Sequence, residues 1–187
     1  MVKYEVLAEI DKTIQSVWMK DIKRDYFNGA LLYEDSLKCS LYYHLRKNLD
    51  CLFRANHLRL YSEYTFPDLK YRADLVVAEI DKAWDISQRL KSAVTNIVTI
   101  VELKFTGGVD SATDEWIRSD LRKFKRYFQD GNIDCQFYFG IIYEEECSAL
   151  TWVDGRSVAT GKWGHGRVTE LDAGLIDGRM SFEVHSY

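Results

Sequence analysis

The apolar run Ile97 to Phe105 carries no charge until its end, where Glu102 and Lys104 place a carboxylate and an ammonium two residues apart. Strand side chains alternate faces with period two, so both groups project from the same side of a sheet. Charges at the end of an otherwise buried strand are costly unless something uses them. Asp74, at the head of Asp74-Leu75-Val76-Val77, supplies a second carboxylate if its strand meets this one. Two carboxylates and a lysine on one face suit a hard divalent cation, with a base or water-positioning group beside it.

The pattern of elements around these residues sets where they can meet. Val6, Ile10, Ile14 and Val17 recur at helical spacing and predict a helix over about 4–20. Leu37, Leu41, His44/Leu45 and Leu49 form one stripe and predict a helix from Leu32 to Leu49, with His44 packed along it. Leu58 to Phe66 alternates as a strand, Pro67-Asp68-Leu69-Lys70 reads as a turn, and Tyr71 to Ala78 returns as a second strand. Residues 80–93 are mostly polar and read as a helical or irregular connection, and 97–105 as a central strand. Gly107-Gly108 ends that strand. Ser111 or Thr113 then caps a helix to about Gln129, with Asp114 and Glu115 in its first turn and an apolar stripe of Ile117, Leu121, Phe124 and Phe128. Lys123 lies on a different stripe, with Trp116, Asp120 and Tyr127. Phe137 to Tyr143 reads as a buried strand, Ala149 to Val153 as a short one, and Arg167 to His185 as a hairpin around Asp177-Gly178. Three strands precede any helical crossover, so the pattern is mixed α/β and not doubly wound.

Composition narrows the class further. The 187 residues suffice for one domain with a proper core, and 47% hydrophobic with 14% aromatic residues are globular values. The longest uncharged run, Ser92 to Val101, is about half of what a bilayer span requires. The early acid in Met1-Val2-Lys3-Tyr4-Glu5 does not resemble a secretory signal. Cys39, Cys51, Cys135 and Cys147 form no CxxC pair and are expected as reduced thiols in a cytoplasmic protein. A net charge of −4 does not announce nucleic-acid binding by bulk charge, so cations must be concentrated locally. Residues 118–126 do so, with Arg118, Arg122, Lys123, Lys125 and Arg126.

The order of elements, with Glu34 at the first core helix, Asp74 on the second strand and Glu102-Leu103-Lys104 on the third, resembles the PD-(D/E)xK nuclease superfamily. The resemblance covers about residues 30–143 and implies a restriction-endonuclease-like core, a central mixed β-sheet flanked by helices. Residues 1–187 would then be a single domain, with an N-terminal helical extension and a C-terminal β-hairpin. It also implies a Mg²⁺- or Mn²⁺-dependent enzyme that hydrolyses DNA phosphodiesters through Glu34, Asp74, Glu102 and Lys104. The metal would be bound by Asp74, Glu102 and the Leu103 carbonyl. Lys123 or Asp120 would complete the site, and Arg122, Lys123 and Arg126 would contact the nucleic acid. DNA is the implied partner, no membrane is, and a second copy of the chain is compatible with the pattern. Asp74 is preferred to Asp68 as the family's aspartate, because Pro67-Asp68 is explained by turn chemistry.

Plainer readings compete with each of these. Glu102 and Lys104 on an arbitrary strand would be a solvent-facing ion pair, and Glu34 near a helix start is ordinary dipole complementarity. The five cations of 118–126 could be a solvated helix face. A nuclease fold that has lost its substrate surface would leave a binding or scaffold module. Other chemistries lack their motifs: Gly155 to Lys162 misses the P-loop spacing, GxSxG, HExxH and GxGxxG are absent, and Trp163-Gly164-His165-Gly166 reads as a turn.

Overall fold

The computed structural model describes residues 2–67, 69–107 and 111–187. Asp68 and Gly108, expected in the turn and at the strand break, lie outside the described residues. So do the side chains of Ser111, Thr113, Asp114, Trp116 and Ile117. The chain is mixed α/β: a six-stranded sheet in the order β1-β2-β3-β4-β5-β6, with helices packed on it. The strands are β1 Leu58–Thr65, β2 Arg72–Ile80, β3 Val94–Thr106, β4 Gln136–Glu146, β5 Val168–Ile176 and β6 Arg179–Ser186. β1, β2 and β3 form an antiparallel meander. Helix α4, Ser111–Gln129, then carries the chain across so that β4 runs parallel to β3, as a parallel pair requires. β5 is parallel to β4, and β6 returns antiparallel. The β5–β6 loop is Asp177-Gly178, both at positive φ (50° and 69°), the two-residue turn whose twist suits a hairpin.

Alternation along the strands divides the core in two. Leu75 and Val77 of β2, Val101 and Leu103 of β3, and Tyr138 and Ile142 of β4 face one core. The same core takes the stripe Leu37, Leu41, Leu45, Leu49 and Phe53 of helix α3, Glu34–Ala55. Val76, Ile100, Phe137 and Phe139 face the other core, with Phe124 and Tyr127 of α4. Helix α3 runs past the expected end at Leu49 because Phe53 extends the apolar stripe by another turn. Its start is held by the Ser36 hydroxyl, which accepts the Tyr33 and Leu32 backbone N–H groups at 2.9 and 2.8 Å.

The first helix also continues beyond its expected end. Tyr4–Val17 (α1) passes through a π-helical segment, Trp18–Ile22, into α2, Lys23–Phe27. The wider turn buries Trp18 and Ile22 with Ile14 and Val17. The Trp18 indole N–H donates to the Asp172 carbonyl at 3.2 Å, and its ring sits over Gly140. A Cβ at Gly140 would stand 2.6 Å from Leu103 Cδ2 and 3.3 Å from Trp18, so β4 needs glycine there. His44, also buried, lies with Nε2 2.9 Å from Asp25 Oδ2, tying α3 to α2.

One expectation is corrected and one is extended. Ala149–Val153 is irregular and not a strand, because the buried Glu170 carboxylate takes the amides a partner strand would use. Its Oε1 accepts from Trp152 N and Val153 N, both at 2.7 Å. On α4 the expected apolar stripe packs on the core through Phe124, with Leu121 and Phe128 partly buried against it, and among the described side chains Asp120 and Tyr127 are buried as well. The inward face thus widens to take in part of the stripe that holds Lys123. Tyr127 accounts for this, since its ring packs on Phe66 (centroids 4.8 Å apart) while its hydroxyl reaches a carboxylate of the sheet.

Candidate active site

Leu75 pairs with Val101 across β2 and β3, and continuing that antiparallel register by one residue sets Asp74 opposite Glu102. The connection is also made directly: the Leu103 backbone N–H donates to Asp74 Oδ2 at 2.8 Å. Glu102 and Lys104 share the strand face that looks onto α4. The end of the sheet where β3 finishes therefore gathers side chains from β2, β3, α3 and α4.

Glu102 is 2% exposed, unusual for a carboxylate at the end of a strand. The Tyr127 hydroxyl donates to its Oε1 at 3.1 Å, and Lys123 Nζ to its Oε2 at 3.4 Å. Burial pushes its pKa up to about 8. Lys123 opposes that rise, and the negative charges of Asp74 and Asp120 add to it. Lys104 Nζ lies 2.9 Å from Asp120 Oδ2 and 3.1 Å from Glu34 Oε2, so it bridges the two helices on either side of the sheet. Burial alone would lower the Lys104 pKa, but Asp120 and Glu34 outweigh it and raise it above the ordinary lysine value. Lys123 also pairs with Asp120, and it too is raised because Glu102 and Asp120 overcome its burial. Lys38, one turn along α3 from Glu34, lies 3.5 Å from Asp74 Oδ1 and pairs with Glu63. Its pKa is raised likewise, against its burial.

Four carboxylates (Glu34, Asp74, Glu102, Asp120) thus interleave with three ammonium groups (Lys38, Lys104, Lys123). Chemically, the lysines are fixed cations at neutral pH and not proton acceptors. Lys104 is suited to stabilise anionic charge and not to act as a general base. Glu102 is the group whose protonation changes near neutrality.

All four residues expected to act together, Glu34, Asp74, Glu102 and Lys104, are brought into this cluster. Of the three residues expected to contact nucleic acid, Lys123 is folded into the cluster on Glu102 and Asp120. Arg126 donates to the Tyr71 hydroxyl at 2.7 Å and lies over its ring, and Arg122 stays exposed on the outer side of α4. Lys38 and Glu63 were not singled out from the sequence. The signal for Lys38 was its i+4 spacing from Glu34, which places both on one helix face. Tyr127 was legible only as a stripe-mate of Lys123.

The donor set can be tested against a metal. Among the described residues, no group of three His, Cys, Asp or Glu side chains is placed to hold an ion. Mg²⁺ needs less than that, since it takes one or two carboxylates and keeps several waters. Asp74 and Glu102 are an oxygen-only pair of this kind, and each carboxylate has more lone pairs than its present donors use. In donor type alone, the pair suits a hard cation. All four cysteines are unbridged, and no helix among the described residues is long and apolar enough to cross a membrane. No protein-family model, no curated protein and no solved structure matches the chain.

Proposed function

We propose that this chain is a metal-dependent nuclease acting on DNA, built on a restriction-endonuclease-like core. One observation carries the reading. Asp74 and Glu102-Leu103-Lys104 stand on adjacent antiparallel strands, with Glu34 on Lys104, and with Tyr127 and Lys123 on the buried Glu102 carboxylate. The sequence of elements supports it: helix α3, three antiparallel strands, helix α4, then a strand parallel to the third.

Asp74 and Glu102 would hold the Mg²⁺ or Mn²⁺, which when bound supplies a nucleophilic hydroxide near neutral pH and charge for the transition state. The residues around them have separate tasks. The Leu103 N–H fixes the Asp74 carboxylate. Glu34 and Asp120 hold the Lys104 ammonium on the same face as Glu102, where it offsets negative charge developing on a phosphate. Tyr127 holds Glu102 by its Oε1, and Lys123 is the counter-ion that an entering cation would displace.

A second reading is favoured by the same ion pairs. Because Lys104 and Lys123 are both neutralised inside the cluster and the net charge is −4, a nuclease-fold binding module without activity also suits the geometry. Digestion of a panel of single- and double-stranded DNA with Mg²⁺ or Mn²⁺ decides between them. Cleavage that is lost in EDTA and in Glu102→Ala supports the enzyme. DNA binding without cleavage in either ion supports the module.

A further inference from the structure

On the outer flank of α4, away from Lys123, a cavity of about 470 Å³ opens between the helix and the 152–163 segment. That volume falls within the ~300–1,000 Å³ range of small-molecule sites. Arg118, Arg122 and Lys125 line it, spaced four and three residues apart, so that α4 presents them as one row. All three are exposed, and among the described residues none has a carboxylate within ion-pair distance. Facing them are the indoles of Trp152 and Trp163. Both indole N–H groups are themselves buried, so it is the rings and not the N–H groups that line the cavity. Asp154 also lines the cavity, and its Oδ1 is engaged by the Arg156 N–H at 3.1 Å.

We propose that this cavity is a nucleotide subsite that accepts one unstacked base between or against Trp152 and Trp163, with its phosphate on Arg118, Arg122 and Lys125. The chemistry is complementary on each count. Indole rings stack on any base, since every base has a π-face. Arginine forks match phosphate oxygens two at a time. Among the described residues, three cations against one carboxylate give the cavity the charge that the whole chain, at −4, lacks. A base inside a duplex cannot enter, so the subsite selects single-stranded or frayed nucleic acid. Arg122 and Lys123 are neighbours on α4, one facing the cavity and the other the carboxylate cluster, so a strand held here would cross the helix toward Glu102. The inference deepens the nuclease reading and rests on it for the polymer, not for the pocket.

The test is a titration of the full chain with dAMP, deoxyadenosine, inorganic phosphate, a short oligo-dT and a blunt duplex, followed by tryptophan fluorescence. Saturable quenching by dAMP and oligo-dT is expected, weakened at least tenfold for deoxyadenosine and for the duplex. Arg122→Gln and Lys125→Gln should each weaken dAMP about tenfold, the loss of one charge-assisted contact, with unchanged circular dichroism. Trp152→Phe with Trp163→Phe should abolish most of the quenching, the phenyl rings keeping the packing. Absence of saturable quenching by dAMP, equal binding of deoxyadenosine, or equal binding by the Arg122 and Lys125 variants overturns the proposal. Phosphate binding as tight as dAMP overturns the base-stacking part and leaves an anion site. Glu102→Gln separates the two readings: it should bind dAMP like the parent yet cleave no DNA. Cleavage without nucleotide binding rejects the subsite alone, and nucleotide binding without cleavage by the parent rejects the nuclease alone.

Discussion

Replacing Glu102 by glutamine should make the protein more stable and its DNA cleavage negligible. The carboxyl group has an ordinary pKa of 4.5 and is held at about 8 in the fold, chiefly by burial. A folded-state pKa above the unfolded one means that the group's contribution is fully present below pH 4.5 and is lost as pH rises toward 8. At 1.36 kcal/mol per unit, the parent has forfeited about 3 kcal/mol from this group by pH 7. Glutamine never ionises and does not carry that slope. Its amide must, however, place two N–H hydrogens, where the protonated carboxyl places one, beside the donors Tyr127 and Lys123, and that costs about 1 kcal/mol. The balance is a gain of about 2 kcal/mol at pH 7, or roughly 4–8 °C in Tm for a chain of this size. Urea unfolding of parent and Glu102→Gln from pH 5 to pH 8 is the assay. The difference in stability should grow by about 1.4 kcal/mol per pH unit in favour of the variant. Saturating Mg²⁺ should reverse the order, stabilising the parent by about 2.7 kcal/mol at a hundred times its Kd and leaving the variant unmoved. A stability difference that is flat with pH, or a Mg²⁺ effect of equal size on both proteins, refutes the reasoning.

Three further outcomes are expected. Asp74→Asn and Lys104→Ala should each remove most divalent-dependent cleavage in a plasmid-nicking assay. Lys104→Arg should restore part of it, since the required property is a fixed cation; full activity of Lys104→Ala would remove the lysine from the site. Asp172→Asn should stabilise the fold. Both carboxyl oxygens of Asp172 are buried without a hydrogen-bond partner among the described residues, and burial, then Glu170 and Glu183, push its pKa up to about 9. Its stability contribution is thus lost as pH rises from 3.8 toward 9, and the gain in Tm from the amide should widen over the same window; a gain independent of pH would exclude this cause. Gly140→Ala should cost about 1–3 kcal/mol by forcing Leu103 and Trp18 apart. Tm measurement checks it, and a neutral result would show that β4 can move away from the π-helical segment.

Glu102 and Lys104 were legible because period-two alternation makes face-sharing a local property of the chain. Asp74 was legible because the hairpin and the next strand share a meander register. α3 and the β5–β6 hairpin could be read for similarly local reasons: a repeating Leu stripe, and an Asp-Gly pair whose backbone preference defines the turn. What could not be read is the tertiary choice between nearly equal options. On α4 the buried face extends beyond the apolar stripe, because Tyr127 satisfies both a ring packing site and the Glu102 carboxylate. Residues 149–153 have strand composition, but a carboxylate from β5 captures their amides. Trp152 and Trp163 lie in irregular segments, so no periodicity indicates that they meet across a cavity from Arg122.

The residues of the carboxylate–lysine cluster are spread along the chain from Glu34 to Tyr127, and α4 is the last element to contribute. At ribosomal rates of ~5–20 residues per second, on the order of ten seconds separate the emergence of Glu34 from that of Tyr127. During that interval the nascent chain holds Glu102 without its counter-ion Lys123 and without the Tyr127 hydroxyl. The arrangement cannot pre-form in a fragment. A truncated or half-synthesised chain presents scattered acids with no shared pocket, and the nuclease proposed above would stay inert until its crossover helix has docked.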